Sequence, residues 1–420
     1  MAMRFPEFRQ ALLEQYGEEA AATRHEAFFL AGRGGTAVLR ALFAALRDAW
    51  LCLRLPERPA PLAGWVALAT LPGSNGWGAL APCVADLARL GIACAVVVHP
   101  RLRGQVAGQV PARPSAQAWR HALGAWRLRP VRDGVLVASP WLVRSCVFRQ
   151  RLWRGAWERT FDAGACGTLL LHNDFDVYAV AAQRATGVRW RSVCVQHGLP
   201  TDEFFPVHAQ RHLLWGPSSA EVYSRHGVAT QALGYGPARM LSPAAGAQAP
   251  TALYLVSQTH TPIYGRTLAE DFLALARQLV RDRPGGLALQ ILLHPEEVRR
   301  GHPYQGTELA PLCRPPPHAA LAADGPPAVV AGFCSSALMD AAVRGHYVIG
   351  MDWPAPGSAD AQAVGRPSAQ VADPGALGFL VRDLCHEAGA RTAFLERQHL
   401  WLQRSFAADP AWPRRLGGEP

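Results

Sequence analysis

Three short stretches of this 420-residue chain carry side chains able to move a proton or hold a phosphate. Gln196-His197-Gly198 sets an imidazole directly after the strand-like run Arg191–Val195. His294-Pro295 follows the run Leu287–Leu293 in the same way. Ser335 and Ser336 come after the apolar run Ala328–Ala331 and Gly332, just before a helix-like run Ala337–Val343. Imidazole titrates near neutral pH and suits general-base work. Hydroxyls together with the free N–H groups of a helix N-terminus favour an anion such as phosphate. Each stretch also has a plainer reading. A serine before a helix is an ordinary N-cap, and a loop histidine is usually a satisfied polar group. Position in the fold decides between them.

The flanking elements predict that position. From Gly64 onward, strands alternate with helices. Trp65–Leu71 reads as a strand, Pro72–Gly78 as a glycine-rich turn, Leu80–Leu90 as a helix and Ile92–Val98 as a strand. This is a βαβ unit. Its glycines do not fit G-x-G-x-x-G and no acidic ribose partner follows, so the loop is expected to shape a cleft. Thr168–His172, Val177–Thr186 and Arg191–Val195 form a second unit. Beyond the linker Ser242–Pro250 the pattern restarts with strands Ala252–Ser257, Leu287–Leu293, Ala328–Ala331 and Tyr347–Met351. The expected class is α/β, with two Rossmann-like domains (59–241 and 251–375) facing a cleft. A helical segment (1–58) precedes them, and a helical segment (376–405) and a loose tail (406–420) follow. Open α/β sheets bind ligands at the carboxyl ends of their strands. His197, His294 and the serine pair all fall there.

Composition narrows the chemistry. The net charge is +10 and every basic residue is arginine. Without lysine there is no P-loop, kinase or Schiff-base lysine. The charge favours anionic partners. Nine cysteines with no C-x-x-C pair point to a reducing compartment and to no metal site. The first ten residues lack an apolar core and no run is long enough to span a bilayer, so a cytoplasmic protein is expected. In Thr36–Leu55, Arg40, Arg47 and Arg54 are read as one helix face opposite Leu39, Leu42, Phe43, Leu46, Trp50 and Leu53. The expectation is an apolar face packed on the next domain. The alternative is an Arg-rich helix lying on the inner-membrane surface. Ala118–Arg132 and Arg144–Arg159 interleave Arg and Trp, which suits sugars, phosphates or bases, but a buried Trp face explains most of them. No nucleic-acid motif is present, so no nucleic-acid partner is expected.

The motifs have an order: QHG (196–198), WG (215–216), LGYGP (233–237), LVSQ (255–258), LLHP (292–295) and SSALMDAAVRG (335–345). Over roughly residues 165–355 this resembles bacterial surface-polysaccharide transferases of the GT-B architecture. The groups resembled are CDP-glycerol glycerophosphotransferases, bacterial polysialyltransferases and sialyltransferases, and capsule Kdo transferases. The resemblance implies that His294, Ser335 and Ser336 hold the phosphate of a cytidine nucleotide and that His197 is the base. Pro295, Gln258, Thr259 and Gly236 join them as candidate nucleotide contacts, and His294, Asp202 and Glu203 join His197 as catalytic candidates. The function implied is transfer of a Kdo- or sialic-type sugar from a CMP-activated donor to a glycan or glycolipid acceptor, with no metal and no separate cofactor. A CDP-glycerol-type phosphotransferase and a UDP-sugar 2-epimerase-like enzyme are the alternatives. Three positions depart from the pattern. Phe204 stands where an acidic sialyltransferase motif has glycine, Leu292 and Leu293 where a basic residue often precedes HP, and Cys334 where an aromatic precedes the serines. They leave the donor open.

Overall fold

The computed structural model describes the chain except residues 1–2, 58–61, 71–73, 132–135, 162–165, 229–232, 235–246, 261–266, 317–320, 322–324, 334, 353–358, 408–410 and 418–420. Gly236, and with it most of the LGYGP turn, lies outside the described residues.

Two parallel sheets form two lobes. The first contains β1 (Gly64–Ala69), β2 (Cys94–Val98), β3 (Gly167–Leu171), β4 (Trp190–Val195), β5 (Arg211–Leu214) and β6 (Leu233–Gly234), in the order β2-β1-β3-β4-β5-β6. The second contains β7 (Leu253–Val256), β8 (Leu289–Leu292), β9 (Cys313–Arg314), β10 (Val329–Gly332), β11 (Tyr347–Met351) and β12 (Ala369–Val371), in the order β12-β11-β10-β7-β8-β9. Both are covered on two faces, as parallel sheets require. On β1, Val66 and Leu68 face the larger helical core while Trp65 and Ala67 face a second, smaller one. β7 repeats the arrangement with Leu253 and Leu255 against Tyr254 and Val256.

The Arg/Trp-rich helix Pro140–Phe161 belongs to the core of the first lobe. Trp153 and Trp157 are fully buried. Arg149, also buried, donates to Asp48 at 2.8 Å and to the Tyr178 hydroxyl at 2.9 Å. His99, in the other His-Pro pair, packs on Trp153 and Tyr178 at 4.7 and 4.4 Å between centroids. It is a core residue.

Two expectations are corrected here. The helix Ala37–Leu53 buries Ala37, Ala41, Ala45, Asp48 and Cys52, and leaves Leu39, Phe43, Leu46, Trp50 and Leu53 exposed. Small residues let it approach Pro140–Phe161 closely, and the Asp48–Arg149 pair fixes its rotation. Nor is the tail loose throughout. The helix Trp412–Gly417 returns to the first lobe, where Trp412 is buried, meets Trp65 edge-on at 5.7 Å and donates to Asp86 at 3.2 Å.

The lobes are joined at one end. The Ala407 amide donates to the Trp215 carbonyl at 2.7 Å, and the Ser218 hydroxyl to the Arg404 carbonyl at 3.0 Å. A Cβ on Gly216 would lie 2.7 Å from the Ser405 carbonyl oxygen. The WG pair of the sequence is therefore where the C-terminal helix crosses between lobes.

Candidate functional site

Each sheet has one place where the chain order reverses, and there the loops leaving adjacent strands part to form a crevice. In the first lobe it lies between β1 and β3, in the second between β7 and β10. Of the candidate residues, Gln258, Thr259 and Ser335 leave the two strands of the second point, and His294 and His197 leave strands one position along.

At the first, β3 runs into His172-Asn173 and β1 into the helix Ser74–Arg89. A Cβ on Gly76 would stand 2.9 Å from the His172 ring, so glycine is what lets that helix start over the imidazole. Asn173 Nδ2 bonds His172 Nε2 at 2.8 Å and Asp176 at 2.6 Å, and Thr70 donates to Asp176 at 2.8 Å. Asp176 also caps the helix Val177–Thr186. This network spans both loops of the crevice.

His197 leaves β4, the next strand along. Its half-buried ring lies 5.7 Å from His172 and stacks on Phe204 at 5.4 Å and 13°. Burial, and then neighbouring His172, push its pKa down to about 4. It is neutral at physiological pH with a lone pair to offer. Two residues on, Leu199 packs where a Cβ on Gly365 would be 2.5 Å from its Cδ1, so this loop touches the second lobe.

Asp202 and Glu203 lie on the short 3-10 turn Asp202–Phe204. Asp202 is exposed, and partial burial together with Asp360 raises its pKa. Glu203 pairs with His25 at 3.5 Å. Burial opposes charge on His25, but the bond to Glu203 and its charge win, and the pKa is raised. His25 comes from the helix Arg24–Ala31 and carries no signal in the sequence.

In the second lobe the three adjacent strands β10, β7 and β8 deliver Ser335, then Ser257 to His260, then His294. His294 caps the helix Pro295–Arg300, its Nδ1 accepting from the Glu296 amide at 3.2 Å. That fixes the neutral tautomer with the proton on Nε2. His260 stacks on it at 3.9 Å and 11°. Burial lowers both pKa values, and His294 helps bring that of His260 to about 4. Ser335 caps the helix Ser336–Val343, its Oγ accepting from the Ala337 amide at 3.2 Å. Capping uses only a lone pair, so the hydroxyl proton can still be donated to a ligand. A small cavity lined by Phe333, Gly350, Met351, Asp352, Gln362 and Arg366 lies in the second lobe, and neither serine lines it.

Glu297 is the residue the sequence reading passed over. Fully buried, it accepts from Ser257 Oγ at 2.7 Å, the Thr259 amide at 2.7 Å, Thr259 Oγ1 at 2.5 Å and the His294 amide at 2.8 Å. It ties the loops after β7 and β8 together. The Thr259 hydroxyl is thus used in the wall of the crevice, beside half-buried Gln258. A capping box after a strand, H-P-E-E, is the signal that could have found Glu297.

Among the described residues one group has metal-ligand side chains within mutual reach: Asp174, Cys194 and His212, all buried. Asp174 already accepts from the amides of His208 and Ala209 at 2.6 and 2.9 Å, which makes it a strut of that turn.

Buried and half-buried neutral histidines predict acid sensitivity. His99, His172 and His197 sit near 4 when folded, against an ordinary 6.5. Between those values the unfolded chain binds more protons than the folded one. Their contribution is therefore complete above pH 6.5 and lost as pH falls toward 4, at up to about 1.4 kcal/mol per histidine per pH unit. Urea midpoints measured from pH 8 to 4 should be flat and then fall steeply below about 6.5.

No protein-family model and no curated protein matches the sequence. Among solved structures, a UDP-N-acetylglucosamine 2-epimerase aligns with a TM-score of 0.51 at 13% identity, covering 85% of this chain and 94% of that one. The glycotransferase of kitacinnamycin aligns with a TM-score of 0.44 at 12% identity, covering 82% of this chain and 97% of that one. The epimerase alignment takes in both lobes, and each lobe has a doubly wound parallel sheet. The chain has the GT-B architecture, two Rossmann-like lobes facing a cleft with helices at both ends.

Proposed function

We propose that this chain is a nucleotide-sugar-dependent glycosyltransferase, with the nucleotide in the second lobe and the acceptor in the first. The observation that carries this is the convergence of His294, the Ser335 cap and the Glu297-braced loop on three adjacent strand ends at the reversal point of the second sheet. When a sugar leaves a nucleotide, negative charge grows on phosphate oxygens. Nε2–H of His294, the hydroxyls of Ser335 and Ser336 and the N-terminus of the helix Ser336–Val343 are donors suited to that charge. His197, neutral and at the carboxyl end of β4, would take the proton of the acceptor hydroxyl. Anionic donor bound nearby raises its basicity from the resting value of about 4. Glu203, paired with His25, is the acidic alternative.

The motif order favours a CMP-activated donor of Kdo or sialic type and a glycan acceptor of a bacterial capsule or lipopolysaccharide. The fold likeness favours a second reading, a UDP-sugar 2-epimerase-like enzyme, because the aligned epimerase is named for a UDP-sugar. Calorimetric titration with CMP, CDP, UDP and dTDP tests the donor. Tightest binding of CMP, at least about tenfold over UDP, is expected on the first reading, a difference of about 1.4 kcal/mol. Tightest binding of UDP, with UDP-sugar turnover in the absence of any acceptor, would replace it with the second. Tightest binding of CDP, with transfer of a phosphopolyol, would indicate the glycerophosphotransferase reaction.

A further inference from the structure

We propose that the exposed ridge of the helix Ala37–Leu53 docks this chain onto an anionic lipid membrane. Leu39, Phe43, Leu46, Trp50 and Leu53 are 69, 69, 70, 52 and 55% exposed. Their alternating spacing of four and three residues keeps them on one helix face, over about 21 Å of length. Exposed apolar side chains scattered singly need no explanation, but a continuous strip marks a surface that something covers. The opposite face cannot rotate outward to hide it, because Asp48 is locked to Arg149 and Trp153.

Charge identifies the cover. Arg40, Arg47 and Arg54 border the strip along one side, about a quarter-turn away. The only acid of this helix, Asp48, is buried, where it pairs with Arg47 and Arg149. Arg40 and Arg54 have no carboxylate partner among the described residues, and the Arg54 guanidinium lies 3.4 Å over the Trp50 ring. At the N-terminal end of the strip, Arg33 is pushed below its ordinary pKa by partial burial and then by the charges of Arg300 and Arg40. A second copy of this chain seated on the strip would bring like charges together. A bilayer with anionic headgroups satisfies both parts, taking the apolar ridge at its acyl boundary and the arginines among its phosphates. Among the described residues no helix is long and apolar enough to cross a membrane, so the contact is one of lying on the surface. The proposal stands whether or not the cleft binds a nucleotide sugar.

Flotation of the full chain with lipid vesicles tests it. Recovery with vesicles of phosphatidylcholine containing one-third phosphatidylglycerol is expected, with little recovery on phosphatidylcholine alone and loss at high salt. Arg40→Ala/Arg54→Ala should weaken binding by about 25-fold, at roughly fivefold per arginine. Leu46→Ser/Trp50→Ser should weaken it at least about tenfold, and because both side chains are already in water the fold should be unchanged by circular dichroism. Phe379→Ser, an exposed apolar residue of the second lobe, should leave binding unchanged. Equal recovery on neutral and anionic vesicles, or no recovery on either, would overturn the proposal. So would a dimer in sedimentation that Leu46→Ser dissociates while vesicle binding is absent.

Discussion

Asp48→Ala lowers the unfolding free energy by about 3–5 kcal/mol, because it breaks a buried ion pair. Asp48 is completely enclosed. Its Oδ2 accepts from Arg149 Nε at 2.8 Å, Tyr178 Oη at 3.0 Å and Trp153 Nε1 at 3.1 Å, and its Oδ1 from Arg47 at 3.0 Å. Burial opposes its charge, but Arg149 and Arg47 outweigh that and hold its pKa below the ordinary value. Removing the carboxylate leaves the Arg149 guanidinium buried with a hydrogen bond to the Tyr178 hydroxyl at 2.9 Å and the charge of Glu26. A buried charge that has lost its paired carboxylate is what makes the single change costly. Asp48→Leu combined with Arg149→Met removes both charges and should lose much less than Asp48→Ala. Urea unfolding of the three proteins decides the point. A double variant as unstable as the single one would mean that packing, and not the orphaned charge, sets the cost.

The same residue shows what could and could not be read from the chain. Strand runs such as Tyr347–Met351 and Val329–Gly332 were legible because parallel strands buried on two faces are continuous apolar stretches. His197, His294 and Ser335 were placed at strand ends because each sits within three residues of such a run. The face of the helix Ala37–Leu53 was misjudged because amphipathicity was weighed by size of side chain. A file of Ala37, Ala41 and Ala45 admits a closer neighbour than leucines do, and the buried ion pair at Asp48 adds a term that periodicity does not contain. His25 and the tail Trp412 escaped because each joins the first lobe from far away in sequence. Glu297 was in view as the second acid of H-P-E-E, but its partners Ser257 and Thr259 lie some 40 positions earlier, and only the adjacency of β7 and β8 brings them together.

His294→Ala should reduce turnover by about 10²–10³-fold if its Nε2–H stabilises the leaving phosphate, the range seen for removing one charge-stabilising donor. The substitution also removes the cap of the helix Pro295–Arg300, worth about 1 kcal/mol, so activity loss alone does not identify the role. His294→Asn separates the two effects, since Asn caps helices well but does not reproduce the fixed Nε2–H. Equal turnover loss in both variants with stability retained only in the Asn form places the effect on the donor. Recovery of turnover in the Asn form would mean the imidazole acts only as a cap. Ser335 can be treated the same way. Ser335→Gly keeps the helix start within a few tenths of a kcal/mol while deleting the hydroxyl. Its nucleotide affinity should fall about tenfold, the value of one hydrogen bond to a charged group. On the proposed reading these donors serve one anion, since they leave the neighbouring strands β10 and β8 on either side of β7. The double variant should therefore lose less than the product of the single losses, the mark of residues that act as a unit.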